Sequence, residues 1–187
     1  MNLILIGPPG AGKGTQAKYL VKKLKNFQVS TGDMLRDEIQ KNSEIGKKIL
    51  DDMSNGKFVD DTIVNKLIEI ILLDPNKKDR LIFDGYPRSL SQAKNLEHLL
   101  IKTDQKIDFI FFLNVSKETI IKRIEQRKII EKRSDDDLET IIKRYETYME
   151  TTKPVLDFYS KNSKFYEIDG SSKIEEITAK IDAFLNV

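Results

Sequence analysis

The feature that most constrains the fold is a glycine-rich segment near the N-terminus, which joins an apolar run to the pattern of an amphipathic helix. The apolar run is Leu3-Ile4-Leu5-Ile6, the segment is Gly7-Pro8-Pro9-Gly10-Ala11-Gly12-Lys13-Gly14-Thr15, and the helix pattern carries Ala17, Leu20, Val21 and Leu24. Glycines let successive backbone N–H groups point into a tight turn, and the positive N-terminus of the next helix attracts an anion. The segment therefore predicts a phosphate-binding loop between a buried strand and a helix.

The alternative interpretation of this segment is a turn that only connects the strand to the helix. That interpretation gives no reason for Lys13 to interrupt the glycines, whereas a phosphate site benefits from its positive charge. We therefore favour phosphate binding.

The composition narrows the class of protein. The chain has 187 residues and a net charge of only +2, which is too balanced for a protein that binds nucleic acid or an anionic membrane. The absence of cysteine excludes disulfides and thiolate-bound zinc. No apolar run approaches the roughly 20 residues of a membrane span, and the first strand follows Met1 without a basic leader. We expect a single cytoplasmic domain over residues 1–187.

Short apolar runs alternate with helical patterns along the chain. The runs are Leu3 to Ile6, Phe27 to Val29, Leu81 to Phe83, Ile107 to Leu113, and Phe165 to Ile168. Such alternation is typical of a parallel sheet that is covered on both faces. The sequence therefore predicts an α/β fold with a five-stranded parallel sheet and helices on both faces.

Two short helices are predicted between the second run and a third, longer helix. Capping patterns at Ser30, Ser43 and Asp60 mark the three helix starts, and Asn55-Gly56 marks an end. Because these helices lie between neighbouring strands, we expect the segment to project from the sheet.

The third apolar run ends in Asp84-Gly85-Tyr86-Pro87-Arg88, with Gln92 one helical turn later. An acidic residue at the carboxyl end of a parallel strand lies where open α/β sheets bind ligands. Asp84 alone fits two interpretations equally well, a helix cap or a group that holds water on a phosphate-bound magnesium ion.

Four arginines follow in the C-terminal half: Arg123, Arg127, Arg133 and Arg144. Arg123 and Arg127 have the i, i+4 spacing at which like charges repel weakly in water. An anion bound between them would make this arrangement favourable. A solvated basic face is the alternative there, and a structural ion pair is the alternative for Arg144. We expect a short link from Lys128 to Lys132 and then a long helix capped by Ser134, with Asp137 at the capping-box position.

Taken together, these motifs resemble the nucleoside monophosphate kinases, and adenylate kinases of the short-lid form in particular. The resemblance rests on the loop with Gly14 in the place where most P-loops have Ser or Thr, on Asp84 to Arg88, and on the arginine spacing, and it covers nearly the whole chain. It implies a phosphotransferase that moves the terminal phosphoryl group of MgATP to AMP and yields two ADP for adenine nucleotide homeostasis.

The resemblance also implies roles for individual residues. The catalytic set is Lys13, Arg88, Arg127, Arg133 and Arg144. The ATP-binding set is Gly10, Ala11, Gly12, Lys13, Gly14, Thr15, Arg123, Arg127 and Gly170. The AMP-binding set is Thr31, Arg36, Lys57, Phe58, Val59, Gly85, Tyr86, Pro87, Arg88, Gln92, Arg133 and Arg144. Magnesium is held mainly by phosphates and water, with Thr15 and Asp84 nearby, and no zinc is expected.

The same resemblance implies two flaps, a monophosphate-binding flap over residues 30–59 and a short lid over residues 127–137. Lys132 and Asp137 depart from the usual Gly and Asn of short lids, which affects the expected hinge geometry. We expect a monomer without nucleic-acid or membrane partners. Two alternatives remain. One is a UMP/CMP-type kinase, although Thr31 and Gln92 favour AMP over pyrimidine monophosphates, and the other is a nucleotide-binding switch without transfer activity.

Overall fold

The computed structural model describes residues 1–55, 57–131 and 137–186. Its strands are β1 (Leu3–Ile6), β2 (Phe27–Ser30), β3 (Leu81–Asp84), β4 (Phe109–Asn114) and β5 (Phe165–Asp169). All pairings are parallel, and the strand order is β2-β3-β1-β4-β5. The predicted five-stranded parallel sheet is confirmed.

Helices follow the strands in the predicted alternation. They are α1 (Lys13–Leu24), α2 (Thr31–Gln40), α3 (Glu44–Ser54), α4 (Asp61–Leu72), α5 (Leu90–Lys102), α6 (Lys117–Glu131), α7 (Leu138–Thr151), α8 (Lys153–Tyr159) and α9 (Ile174–Leu185), and a short 3₁₀ helix spans Pro75–Lys77. Within the described part of the chain, no helix is long and apolar enough to cross a bilayer.

The two faces of the sheet bury separate apolar cores because successive strand residues point to opposite faces. In β1, Ile4 and Ile6 pack with α4, α5 and α8, whereas Leu3 and Leu5 pack with α1, α6 and α9. Every residue of β1 is buried, as expected for a central parallel strand. The double covering confirms helices on both faces.

The strand register brings the chemically distinctive residues to one edge of the sheet. Asp84 at the end of β3 pairs with Leu5 of β1 on one side and with Ser30 of β2 on the other. The glycine-rich loop after β1, the start of α2 and the segment after β3 therefore meet at the carboxyl ends of the strands.

Three predicted helix starts are confirmed by their capping bonds. The side chains of Ser30, Ser43 and Asp60 accept hydrogen bonds from the backbone N–H groups of Asp33, Gly46 and Thr62, at 3.3, 2.9 and 2.8 Å. Each bond satisfies an N–H group that has no partner inside its helix.

Two predictions about the link between α6 and α7 are wrong. Helix α6 continues through Lys128 to Glu131, because this stretch contains no Gly or Pro to end it. Helix α7 begins after Asp137, whose side chain accepts a hydrogen bond from the Thr140 N–H at 2.9 Å, so Asp137 is the cap itself. Ser134, the predicted cap, lies outside the described residues.

Candidate active site

A cavity of about 670 Å³ opens at the carboxyl edge of the sheet. The glycine-rich loop, α2, the segment before α4, the turn after β3, α6 and α7 all contribute to its wall. Most predicted site residues line it: Gly10, Ala11, Gly12, Lys13, Gly14, Thr15, Thr31, Arg36, Lys57, Phe58, Val59, Asp84, Gly85, Pro87, Arg88, Gln92, Arg123, Arg127 and Arg144.

Three predicted residues are not placed in this wall. The Tyr86 side chain is 1% exposed and lies in the core beside Phe83, where its hydroxyl donates to Asn65 Oδ1 at 2.8 Å. Gly170 packs so closely on Val115 that a Cβ added to the glycine would lie 2.5 Å from Val115 Cγ2. The N–H of Gly170 donates to the Asn114 carbonyl. Arg133 lies outside the described residues.

The glycine-rich loop is a backbone structure that ends in α1. Gly12 caps the helix at φ 95°, in the left-handed region that favours glycine, and the space around its missing Cβ is open. The loop therefore presents the N-terminus of α1 to the cavity, with no acidic residue in the first turn of the helix to compete with an anion.

Lys13 is folded back over this loop. Its Nζ donates to the carbonyl oxygens of Gly7 at 2.7 Å and Pro8 at 2.9 Å. Burial lowers the Lys13 pKa, the negative charge of Asp84 opposes this shift, and the positive charges of Arg88 and Arg127 add to it, so that the resulting pKa is about 8. A polyphosphate in the loop would stabilise the charged form of this lysine.

Asp84 faces the loop from β3. A Cβ on Gly14 would lie 3.4 Å from Asp84 Oδ2, and the same oxygen accepts a hydrogen bond from Gln28 Nε2 at 2.9 Å. Gln28 thus orients a carboxylate at the rim of the loop. No group of three or more His, Cys, Asp or Glu suited to a metal ion occurs among the described residues.

Arg88 carries a half-buried positive charge in the turn after β3, which also lines the cavity. Its Nε donates to the Gly85 carbonyl at 2.6 Å, and its guanidinium lies 5.4 Å from the centre of the Phe58 ring. Burial lowers the Arg88 pKa to about 10, with Arg144 and Arg36 adding to the effect and Asp84 opposing it. The group remains charged near neutral pH, and it lies in a place suited to an anion.

Further hydrogen bonds hold the wall around Arg88. The Thr31 hydroxyl donates to the Gly85 carbonyl at 2.9 Å, and the Thr152 hydroxyl donates to the Arg88 carbonyl at the same distance. Arg36 pairs with Asp33 one helical turn earlier, at 2.5 Å. Elements from both halves of the sequence therefore fix the position of Arg88.

Gln92 is 2% exposed and is held by three groups near the start of α5. Its Oε1 accepts from the Arg88 N–H at 2.8 Å, its Nε2 donates to Asp61 Oδ1 at 2.5 Å, and its own N–H donates to the capping hydroxyl of Ser89 at 3.1 Å. The side-chain amide is thus fixed at the cavity wall.

The remaining arginines join the two sides of the cavity. Arg123 lies 3.5 Å from the Ala11 carbonyl of the glycine-rich loop, a contact between α6 and the loop. Arg127 of the same helix affects the pKa of Lys13, and Arg144 of α7 affects that of Arg88. One cavity therefore gathers the positive charges of the glycine-rich loop, of α6 and α7, and of Arg88.

Sequence reasoning missed several wall residues. Gln28 and Thr152 act through contacts with residues far away in the sequence, as does Asp61, which does not line the cavity but holds Gln92. Ile174 and Ile177 of α9 add an apolar patch to the wall. Gln28 stands out only as a polar residue inside an apolar strand, and the other residues carry no local signal.

Comparisons with known proteins agree with this arrangement. The family model described as Adenylate kinase matches residues 5–164. The chain is 49% identical to the "Adenylate kinase" of Pelagibacter ubique (strain HTCC1062), over 100% of both chains. It is 43% identical to that of Caulobacter sp. (strain K31), over 100% of this chain and 99% of the relative. It is 36% identical to that of Archaeoglobus fulgidus, over 99% and 98% of the two chains.

Proposed function

The chain belongs to the adenylate kinase family, and from that premise we propose that it transfers the terminal phosphoryl group of MgATP to AMP, yielding two ADP. The observation that carries the proposal is a single cavity whose wall contains Lys13 with its glycine-rich loop and also Arg88 in the turn after β3. A protein that only bound a nucleotide phosphate would not need this second cation. The activity serves adenine nucleotide homeostasis.

The loop side of the cavity is the ATP side. Gly10 to Thr15 direct N–H groups and the N-terminus of α1 at the β- and γ-phosphates, and Lys13 exchanges its two carbonyl contacts for phosphate oxygens. Arg123 and the apolar residues Ile174 and Ile177 provide a surface for the base of ATP.

The Arg88 side of the cavity is the AMP side. Arg88 and Arg36 hold the acceptor phosphate in line with the ATP γ-phosphate, while Thr31, Gln92 and residues 57–59 surround the nucleoside. Arg127 and Arg144, together with Arg133 from the sequence motif, neutralise charge on the group in transfer. Since phosphoryl transfer needs alignment and charge neutralisation, no covalent nucleophile is required.

Magnesium fits this site as an ion carried by the nucleotide. Asp84 presents one carboxylate beside Gly14, Thr15 presents a hydroxyl, and Gln28 fixes the carboxylate, so phosphates and water supply the other ligands. A bound ion would supply positive charge that neutralises the phosphate groups. The described residues offer no zinc cluster.

Water competes with AMP for the phosphoryl group, so the site should close only over both nucleotides. We assign this closure to residues 30–59 and 127–137, two flaps on a single domain that spans residues 1–187. Hydrogen exchange with and without a bisubstrate analogue tests the assignment: both flaps should gain more protection than the β1–β4 core. Protection confined to the core, or unchanged in both flaps, would contradict it.

A panel of acceptors tests the function itself. With MgATP as donor, formation of diphosphate is compared for AMP, CMP, UMP and GMP, and AMP should have the highest kcat/KM. A clear preference for CMP or UMP would support a pyrimidine nucleotide kinase instead, and no transfer to any acceptor would support a nucleotide switch. Sedimentation at working concentration should give the mass of a monomer.

A further inference from the structure

We propose that Asp61 is a specificity-determining positioning residue, which fixes the amide of Gln92 in the orientation that accepts a 6-aminopurine and rejects a 6-oxopurine. The inference rests on the proposed function, in which Gln92 contacts the base of the acceptor nucleotide. Asp61 itself lies at the start of α4 and has no part in the contacts with phosphate described above.

The geometry is a short chain of hydrogen bonds between α4 and α5. Asp61 Oδ1 accepts from Gln92 Nε2 at 2.5 Å, and Asp61 Oδ2 accepts from the Ser89 hydroxyl at 2.9 Å. On the other side of the amide, Gln92 Oε1 accepts from the Arg88 N–H at 2.8 Å. Both oxygens of Asp61 are therefore engaged, and the carboxylate is held against the amide.

These partners permit only one orientation of the amide. A carboxylate can only accept hydrogen bonds, so it must face Nε2, and a backbone N–H can only donate, so it must face Oε1. Half a turn about the last side-chain bond would place oxygen against carboxylate and N–H against N–H. Gln92 is only 2% exposed, so water could not compensate the two lost bonds.

The fixed orientation determines which purine fits. After the two bonds above, Gln92 still has one N–H group and one oxygen lone pair to offer. The edge of adenine offers an acceptor at N1 and a donor at its 6-amino group, which complement this pair. The edge of a 6-oxopurine offers a donor at N1 and an acceptor at O6, which oppose it. Asp61 and the Arg88 N–H together enforce this orientation, and Asp61 is the partner that a substitution can change, because the Arg88 partner is backbone.

The test compares AMP with IMP, since the two nucleotides differ only at N1 and at the 6-substituent. In Asp61→Asn the side chain can donate as well as accept, so only the Arg88 N–H still opposes a turn of the Gln92 amide. We expect the ratio of kcat/KM for AMP to that for IMP to fall about tenfold or more. The change should lie in KM, which rises for AMP and falls for IMP, while kcat with saturating AMP changes little.

Asp60→Asn is the matched control. Asp60 caps the same helix by accepting from the Thr62 N–H at 2.8 Å and is adjacent in sequence, but it makes no contact with Gln92. This variant removes the same charge from the same helix end and should leave the AMP/IMP ratio unchanged. Asp61→Glu retains an acceptor-only group and should restore most of the ratio.

The possible outcomes distinguish a failure of the role of Asp61 from a failure of the proposed function. If Asp61→Asn left the AMP/IMP ratio unchanged, or lowered kcat/KM equally for both nucleotides, the role of Asp61 would be overturned. A wild-type preference for AMP would still support the proposed kinase function in that case. A wild-type protein that does not use AMP would overturn the function first. Circular dichroism checks folding, and if the Asn variant does not fold, Asp61→Ser carries the same prediction because a hydroxyl both donates and accepts.

Discussion

The two sides of the cavity are built in different ways. The side that we assign to ATP is one continuous segment from Gly7 to Thr15, which consists of backbone groups and one lysine. The side that we assign to AMP is assembled from side chains of α2, α5 and α7 and the turns between elements, and it is held by bonds such as Thr152 to Arg88 and Gln92 to Asp61.

Because of this difference, we expect the loop to supply charge for catalysis and the wall of side chains to determine which base is accepted. A loop of backbone N–H groups recognises phosphates, which every nucleotide carries, so it cannot select a base. A wall of oriented side chains has directional donors and acceptors, so it can. We therefore expect changes on the ATP side to affect turnover with any acceptor, and changes on the AMP side to affect the choice and binding of the acceptor.

The largest expected effect follows removal of the cation on the ATP side. Lys13→Met should lower kcat about 10²–10³-fold, because the developing charge on the transferred phosphate loses a buried positive partner. ADP formation at saturating AMP measures this loss. Lys22→Met, an exposed change on the same helix, should retain full activity, and an unaltered rate in Lys13→Met would place the chemistry elsewhere.

Removal of the cation on the AMP side should have a different kinetic signature. Arg88→Met should lower kcat/KM for AMP about 100-fold, with a raised KM for AMP and a nearly unchanged KM for ATP. Initial rates over a grid of both nucleotides measure the two constants. Arg80→Met, an exposed change before β3, is the control. Equal increases in both KM values would show that the two sides are not separable.

Gln28 tests the boundary between the sides, since it extends from β2 to the carboxylate beside the loop. In Gln28→Leu, Asp84 loses its partner, and the Mg²⁺ concentration for half-maximal activity should rise about tenfold. The KM for AMP should not change. Titration of activity with Mg²⁺ gives the first number and titration with AMP gives the second. A rise in the KM for AMP alone would assign Gln28 to the AMP side.

The pH dependence should also differ between the sides. Lys13 has a pKa of about 8 in the free protein, and bound phosphates favour its protonated form, so ATP affinity should fall above pH 8, by at most about tenfold per pH unit. Arg88 has a pKa of about 10, so AMP affinity should stay constant up to about pH 9. Calorimetry in two buffers at pH 8.5 should show proton uptake with ATP and none in Lys13→Met. Proton release with ATP would contradict this account.

The smallest expected effect concerns stability near the lid. Asp137 caps α7 through the Thr140 N–H, so Asp137→Ala should cost about 0.5–2 kcal/mol in the free energy of unfolding, and Asp137→Asn only a few tenths. Urea unfolding measures both variants. A loss of activity in Asp137→Asn without a loss of stability would mean that this departure from the family pattern alters lid geometry.

Prediction from the sequence succeeded where a local pattern determines the structure. The bounds predicted for β1, from Leu3 to Ile6, match the structure, because an apolar run that ends at a glycine leaves little freedom. The caps at Ser30, Ser43 and Asp60 were predictable for the same reason, since each lies next to the groups that it bonds.

Prediction failed where an element has no local stop signal or depends on distant residues. Nothing in Lys128 to Glu131 favours an end to α6 over its continuation, and the cap of α7 is Asp137, which we predicted to be the capping-box residue of a cap at Ser134. The bonds from Gln28 to Asp84 and from Gln92 to Asp61 cross 56 and 31 positions of the chain, so only the folded structure reveals them. The phosphate loop was therefore predictable, whereas the network that selects the acceptor was not.

The central claim is that the two sides of the cavity form one transfer site that excludes water. The direct measurement uses ATP with a labelled γ-phosphate and follows the label with and without AMP. We predict that the label moves to the ADP formed from AMP, and that little labelled inorganic phosphate is released in either case. Release of labelled phosphate at a rate independent of AMP would contradict the claim, because it would show that the loop side acts alone with water as acceptor.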